Sequence, residues 1–144
     1  MRWLAAVLVV VAGAALAHDG ATGVVKQRMD GMKDMSNATK ALGAIKAGAI
    51  PYSPEVIRRA AGQFINKGRA QFDLYPEGSD GGMSDALDTV WSDRVRFEAL
   101  LTDLIRAGER LDAVAAEEAA ALSAADDVAK TCKACHADFR RKTL

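Results

Sequence analysis

Apolar residues recur at intervals of three, four or seven along most of the chain, which is the period of an amphipathic helix. The first such segment covers residues 24–47, with lysines among the polar positions between its apolar ones: Val25, Met29, Met32, Met35, Leu42 and Ile45. Gly48 and Pro51 follow it directly. Because these two residue types interrupt helices, the pattern predicts that the first helix ends here.

Two further helices follow from the same period. Ser53 can cap the second with its hydroxyl, and Pro54 suits the first helical position, so we predict a helix over residues 54–74. Residues 75–82 contain three glycines and a proline, a composition typical of a shaped loop. A third helix is predicted from Ser84 or Ala86 to Val114, with Val95 among its buried positions.

The last helix is predicted after a bend near residues 115–118. It carries apolar residues and both cysteines at spacings of three and four, so the cysteines are expected in its buried stripe: Leu122, Ala125, Val128, Cys132, Cys135 and Phe139. Four amphipathic helices joined by short connections predict an all-α fold, an antiparallel up-and-down four-helix bundle.

The N-terminus has the pattern of a secretory signal peptide. Arg2 precedes an apolar run over residues 3–16, and Ala15 and Ala17 form a small-x-small cleavage pattern. The run is shorter than the roughly 20 residues that a membrane-spanning helix needs. We therefore predict a signal peptide at residues 1–17, a bundle domain at 18–144, and export to a bacterial periplasm.

Composition excludes several function classes. The chain has 19 basic and 19 acidic residues, so its formal net charge is zero, and it has only two cysteines. A nucleic-acid binder that relies on bulk positive charge and a disulfide-dense mini-domain are both excluded.

One motif carries specific chemistry. Cys132, Cys135 and His136 form Cys-x-x-Cys-His, the attachment signature of c-type haem, in which two thiols bond the haem and the histidine binds iron. A zinc site would need further ligands, and His18 is the only other histidine. A thioredoxin-like dithiol belongs at the start of a helix after a strand, which this chain does not offer.

The chain resembles the cytochrome c' family, exported bacterial bundles whose haem is bound by this motif on the last helix. The resemblance rests on the haem motif with Phe139 and Arg140 after it, on residues 90–93 and 75–82, and on Arg28. It implies one covalent haem c with its iron, and His136 as the proximal ligand.

The resemblance also implies roles on the distal side of the haem. The position four after Arg28 packs over the iron, and Met32 there is typical of the low-spin branch, in which the methionine sulfur is the sixth ligand. Met29, then Met35, are the substitutes. Methionine also fills gaps in cores, and that interpretation stays open for Met32.

Polar contacts to the haem edge are implied as well. Arg28 is expected to bind a haem propionate, since its fork of donors suits a carboxylate. Ser79 and Asp80 of the loop are candidate contacts to the same groups. Arg140 is expected beside His136, and its alternative role is to stabilise the last turn of a helix.

We therefore expect a periplasmic electron carrier with a His136/Met32-ligated haem iron and no enzymatic activity. The alternative is a five-coordinate protein that binds NO or CO at an open distal face. A third interpretation is a haem-free helical module or dithiol protein. Expected partners are periplasmic redox proteins, with no nucleic acid and no membrane span after signal cleavage. Relatives often dimerise through their first two helices, so a homodimer is one expectation.

Overall fold

A computed structural model describes residues 21–142, so the predicted signal peptide lies outside the described residues. Five helices follow one another: α1 Gly23–Lys46, α2 Pro54–Gln71, α3 Thr89–Ser92, α4 Arg94–Ala113 and α5 Glu118–Phe139. The four long ones pack as a bundle, which confirms the predicted fold class. Between residues 21 and 142, no helix combines the length and apolar character that crossing a bilayer requires.

The capping and turn residues predicted from the sequence are found at the helix ends. The Ser53 hydroxyl accepts a hydrogen bond from the Val56 N–H, and Pro54 begins α2. After α1 the chain turns at Gly48, whose φ of +70° is a left-handed conformation that favours glycine. The predicted bend between the last two long helices is confirmed, because α4 ends at Ala113 and α5 begins at Glu118.

The predicted third helix is wrong in its first part. Residues 84–88 are not helical, and Asp93 separates α3 from α4 with φ −123° and ψ 53°. The segment before α3 instead bonds to the end of α5, where the Leu87 N–H donates to the Phe139 carbonyl. Because of this break, the residues of α4 that face the core are not those expected from one continuous helix, and Val95 is 83% exposed rather than buried.

The helices form a closed ring in the order α1, α2, α4, α5. α2 packs closely on α4, and a Cβ on Gly108 would come within 3.0 to 3.3 Å of three α2 atoms. α1 and α5 touch each other much less than the other neighbouring pairs do. Because α1 and α5 are in little contact, there is room for a cavity between them.

Two hydrophobic clusters fill the interior. The main cluster draws on all four long helices and has Ile57, Phe64 and Leu111 at its centre. The second lies at the end of the bundle where α5 finishes and is largely aromatic: Tyr75, Val90, Phe97, Leu101 and Phe139. The cavity lies where the two clusters meet, since residues of both line it.

Candidate functional site

A cavity of about 580 Å³ opens between α1, α4 and α5. The α5 wall carries Cys132, Cys135 and His136, and α1 forms the facing wall. Apolar side chains of the two clusters complete it: Val90, Phe97, Leu100, Leu101, Leu104 and Phe139. A largely apolar space with two thiols and an imidazole on one wall fits a covalently bound haem.

The cysteines face the cavity because residues three and four apart share one side of a helix. Both thiols are free and partly buried; Cys132 packs against the main cluster and Cys135 against the aromatic one. Burial raises the pKa of Cys132, while burial, the Cys132 thiol and Asp138 together raise the pKa of Cys135 to about 11. Both thiols are therefore neutral at physiological pH.

His136 lies at the exposed end of the α5 wall. Loss of hydration lowers the pKa of His136, and the Arg140 cation lowers it further. The imidazole is thus neutral near pH 7, the form that binds iron. In the part of the chain that the structure describes, no group of three or more His, Cys, Asp or Glu side chains is arranged to hold a metal, as the zinc interpretation would need.

All three methionines named from the sequence lie on the α1 wall, at different depths. Met35 is buried in the main cluster, and Met29 is 42% exposed. Met32 is partly buried and packs against the main cluster. Its side chain therefore lies between the core and the cavity.

Arg28 is buried at the edge of the cavity, with only 3% of its surface exposed. Its Nη1 donates to the Leu74 carbonyl at 3.2 Å and to the Ser79 hydroxyl at 2.9 Å, and its Nη2 donates to the Ser79 carbonyl and the Ser84 hydroxyl. The guanidinium also stacks 4.7 Å from the centre of the Tyr75 ring. Burial lowers the pKa of Arg28, and Tyr75 and Asp80 oppose that effect.

Arg28 lines the cavity, but Ser79 and Asp80, the loop residues predicted at the haem edge, do not. The Ser79 hydroxyl accepts a hydrogen bond from Arg28 and donates one to the Pro76 carbonyl at 2.8 Å. Their contact with propionates stays a prediction. Sequence reasoning missed Ser84, which is buried, lines the cavity and holds Arg28. No local pattern marks it, because its partner is 56 positions away.

Arg140 lies at the cavity beside His136, as the resemblance implies. Its guanidinium is 4.0 Å from the Asp85 carboxylate, and its backbone forms an isolated antiparallel bridge with Ala86. Four α1 residues on the wall received no role from the sequence: Lys33, Ser36, Thr39 and Lys40.

Comparison with known proteins extends these observations. The sequence model of the family described as Cytochrome C' matches residues 23–140. A cytochrome c' of Rhodopseudomonas palustris is 29% identical over 140 residues, 96% of this chain and 94% of that protein. A cytochrome c-556 of Agrobacterium tumefaciens is 30% identical over 121 residues, 83% of this chain and 98% of that protein.

Solved structures show the same architecture. The cytochrome c' from Rhodopseudomonas palustris superposes with a TM-score of 0.81 at 29% identity, covering 86% of this chain and all of that one. A cytochrome c' variant from Alcaligenes xylosoxidans, solved as its nitric oxide complex, has a TM-score of 0.74 at 25% identity and covers 83% and 94%. These matches confirm the predicted cofactor, one covalently bound haem c with its iron.

The function predicted from the sequence is wrong. The His136/Met32-ligated electron carrier of a low-spin branch is contradicted by the matches to cytochrome c', which favour the five-coordinate alternative. The physical reason lies in the α1 wall. Methionine at this position serves equally as an iron ligand and as core filler, and Met32 packs against the main cluster.

Proposed function

The chain belongs to the cytochrome c' family, and from this premise we propose that it is a periplasmic haem protein that binds NO or CO at a five-coordinate iron. The nitric oxide complex of the Alcaligenes xylosoxidans relative supports the choice of ligand. The observation that carries the proposal is the packing of Met32, which is held against the main cluster on the wall facing His136.

Each wall of the cavity has its own task in this proposal. Cys132 and Cys135 hold the haem by thioether bonds, and the neutral imidazole of His136 supplies the proximal ligand. When bound, the haem would supply an iron that can take up a diatomic gas. Met32 and Met35 present apolar surface on the opposite wall, which suits a small uncharged ligand.

The test is CO binding by the reduced protein, compared with Met32→Leu. We expect a high-spin ferric spectrum and ready CO uptake in the natural sequence, with little change in the variant because leucine conserves apolar volume. Met35→Leu on the same wall is the matched control. A low-spin protein that refuses CO until Met32 is replaced would contradict the proposal.

We also propose that the protein turns over no substrate. Residues 1–17 direct it to the periplasm. A redox protein there keeps its iron ferrous. Arg140, Arg141 and Lys142 form a cationic end next to His136 and are the surface that we propose for that partner. Dimerisation through α1 and α2 stays a prediction.

A further inference from the structure

A smaller groove lies between α1 and α2, away from the haem cavity. Asp30 and Gly31 of α1 line it together with Lys67 and Gln71 of α2, and none of these four residues lines the haem cavity. On each helix the residues that line the groove lie within one turn of each other. Its volume is about 300 Å³, at the lower end of the range for small-molecule sites. A site of this size suits a ligand of few atoms.

Gln71 places an amide donor at the floor of this groove. Its side chain is fully buried, and its Oε1 accepts a hydrogen bond from the Tyr75 hydroxyl at 3.0 Å. Among residues 21–142, no acceptor is in hydrogen-bonding position for its Nε2. Buried polar groups in proteins are nearly always hydrogen-bonded, so this donor points to an acceptor from outside the chain.

Gly31 gives this amide its place against α1. A Cβ at position 31 would lie 2.7 Å from Gln71 Nε2, closer than such atoms approach one another. Any larger residue would therefore have to displace the amide. Because Gly31 and Gln71 both line the groove, a ligand held between the two helices meets the amide nitrogen there.

The groove also carries one charge of each sign, Asp30 on its α1 wall and Lys67 on its α2 wall. Asp30 accepts a hydrogen bond from Lys26 at 2.7 Å, and the Lys67 ammonium lies 2.9 Å from the Asp34 carboxylate. Both pairs are substantially exposed. Exposed ion pairs contribute little to stability, so a ligand can take the place of either partner.

We infer that this groove binds a small zwitterion, a molecule with a carboxylate and an ammonium group a few atoms apart, as in an amino acid. The carboxylate accepts hydrogen bonds from Gln71 Nε2 and the Lys67 ammonium, and the ammonium group of the ligand donates to Asp30. A carboxylate alone would be attracted by Lys67 but repelled by Asp30. The inference involves neither the haem nor its gas ligand, so it stands or fails independently of the proposed function.

The test titrates glycine into the ¹⁵N-labelled ferric holoprotein and follows the side-chain amide of Gln71 by NMR. Its signals are assigned from their absence in Gln71→Met. We expect them to shift and to saturate as glycine is added. Acetate lacks the ammonium group and methylammonium lacks the carboxylate, so each should bind about fivefold more weakly or worse, the factor expected for one exposed ion pair.

Three charge variants identify the groups that hold the ligand. Lys67→Gln should weaken glycine binding by about fivefold, because the carboxylate loses its cation. Asp30→Asn should weaken glycine binding but strengthen acetate binding, so that the two probes bind alike. Arg69→Gln is the matched control, since Arg69 is an exposed cation of α2 that does not line the groove, and it should leave both affinities unchanged.

The inference is overturned if glycine leaves the Gln71 amide signals unshifted, or if acetate binds the natural sequence as tightly as glycine does. It is also overturned if Lys67→Gln binds glycine as well as the natural sequence. Sedimentation provides the remaining check. If the Gln71 signals shift with protein concentration instead of with glycine, a second copy of the chain covers the groove, and the zwitterion site is again refuted.

Discussion

Replacing Arg28 with methionine tests whether this one side chain holds the loop over the cavity. Methionine keeps an unbranched apolar stem against the Tyr75 ring but removes four hydrogen bonds. The buried Ser84 hydroxyl would lose the Arg28 donor and keep the Ala86 N–H at 3.2 Å, whereas water can partly replace the donor at Leu74 and Ser79. The change therefore separates hydrogen bonding from packing.

The expected loss follows from the number and burial of these bonds. A hydrogen bond to a charged group contributes about 1.5 to 3 kcal/mol. Rehydration of the loop carbonyls and relief from burying a guanidinium offset part of this loss. We expect Arg28→Met to lower the free energy of unfolding by about 3 kcal/mol.

The assay is urea unfolding of the holoprotein followed by far-ultraviolet circular dichroism, with hydrogen exchange to localise the change. Exchange should accelerate in residues 74–84 before it does in α2 or α4. Arg96→Met is the control, since Arg96 forms an exposed pair with Asp138 and should cost less than about 1 kcal/mol. A loss below about 1 kcal/mol for Arg28→Met, with loop exchange unchanged, would refute the positioning role.

Three other predictions concern packing, pH and docking. Gly108→Ala should destabilise the bundle by about 1 to 3 kcal/mol in urea unfolding, because a Cβ there meets α2 at 3.0 to 3.3 Å. Gly62→Ala, with open space around it, should instead stabilise by about 0.5 to 1 kcal/mol; equal effects would contradict the packing argument. Burial raises the pKa of Tyr75 from 10.0 to about 12, so its neutral form stabilises the fold below pH 10 and this contribution is lost as pH rises toward 12. Between pH 10 and about 12, the urea midpoint should fall less steeply with pH for Tyr75→Phe than for the natural sequence. Equal slopes would show that the raised pKa of Tyr75 does not cause the loss of stability. If residues 140–142 dock an acidic reductant, its second-order rate should decrease with ionic strength, and a rate insensitive to salt would remove that role.

The sequence by itself determined whatever depends on spacing within one helix. The period of three and four predicted the four long helices, and Ser53 with Pro54 marked the start of α2. The positions of Cys132, Cys135 and His136 on one wall follow from the geometry of a single turn. These features need no knowledge of neighbouring helices.

The tertiary structure decided what depends on residues far apart in the chain. Arg28 binds Ser79 across 51 positions, so no local pattern could show that its donors are taken by the loop. The chain before α3 bonds to the end of α5 through Leu87, and the break at Asp93 follows, after which Val95 is exposed. Likewise, the amphipathic pattern of α1 could not tell whether Met32 reaches the iron or fills the core. Helix periodicity specifies which side of a helix is apolar, but only the packing of four helices specifies what that side meets.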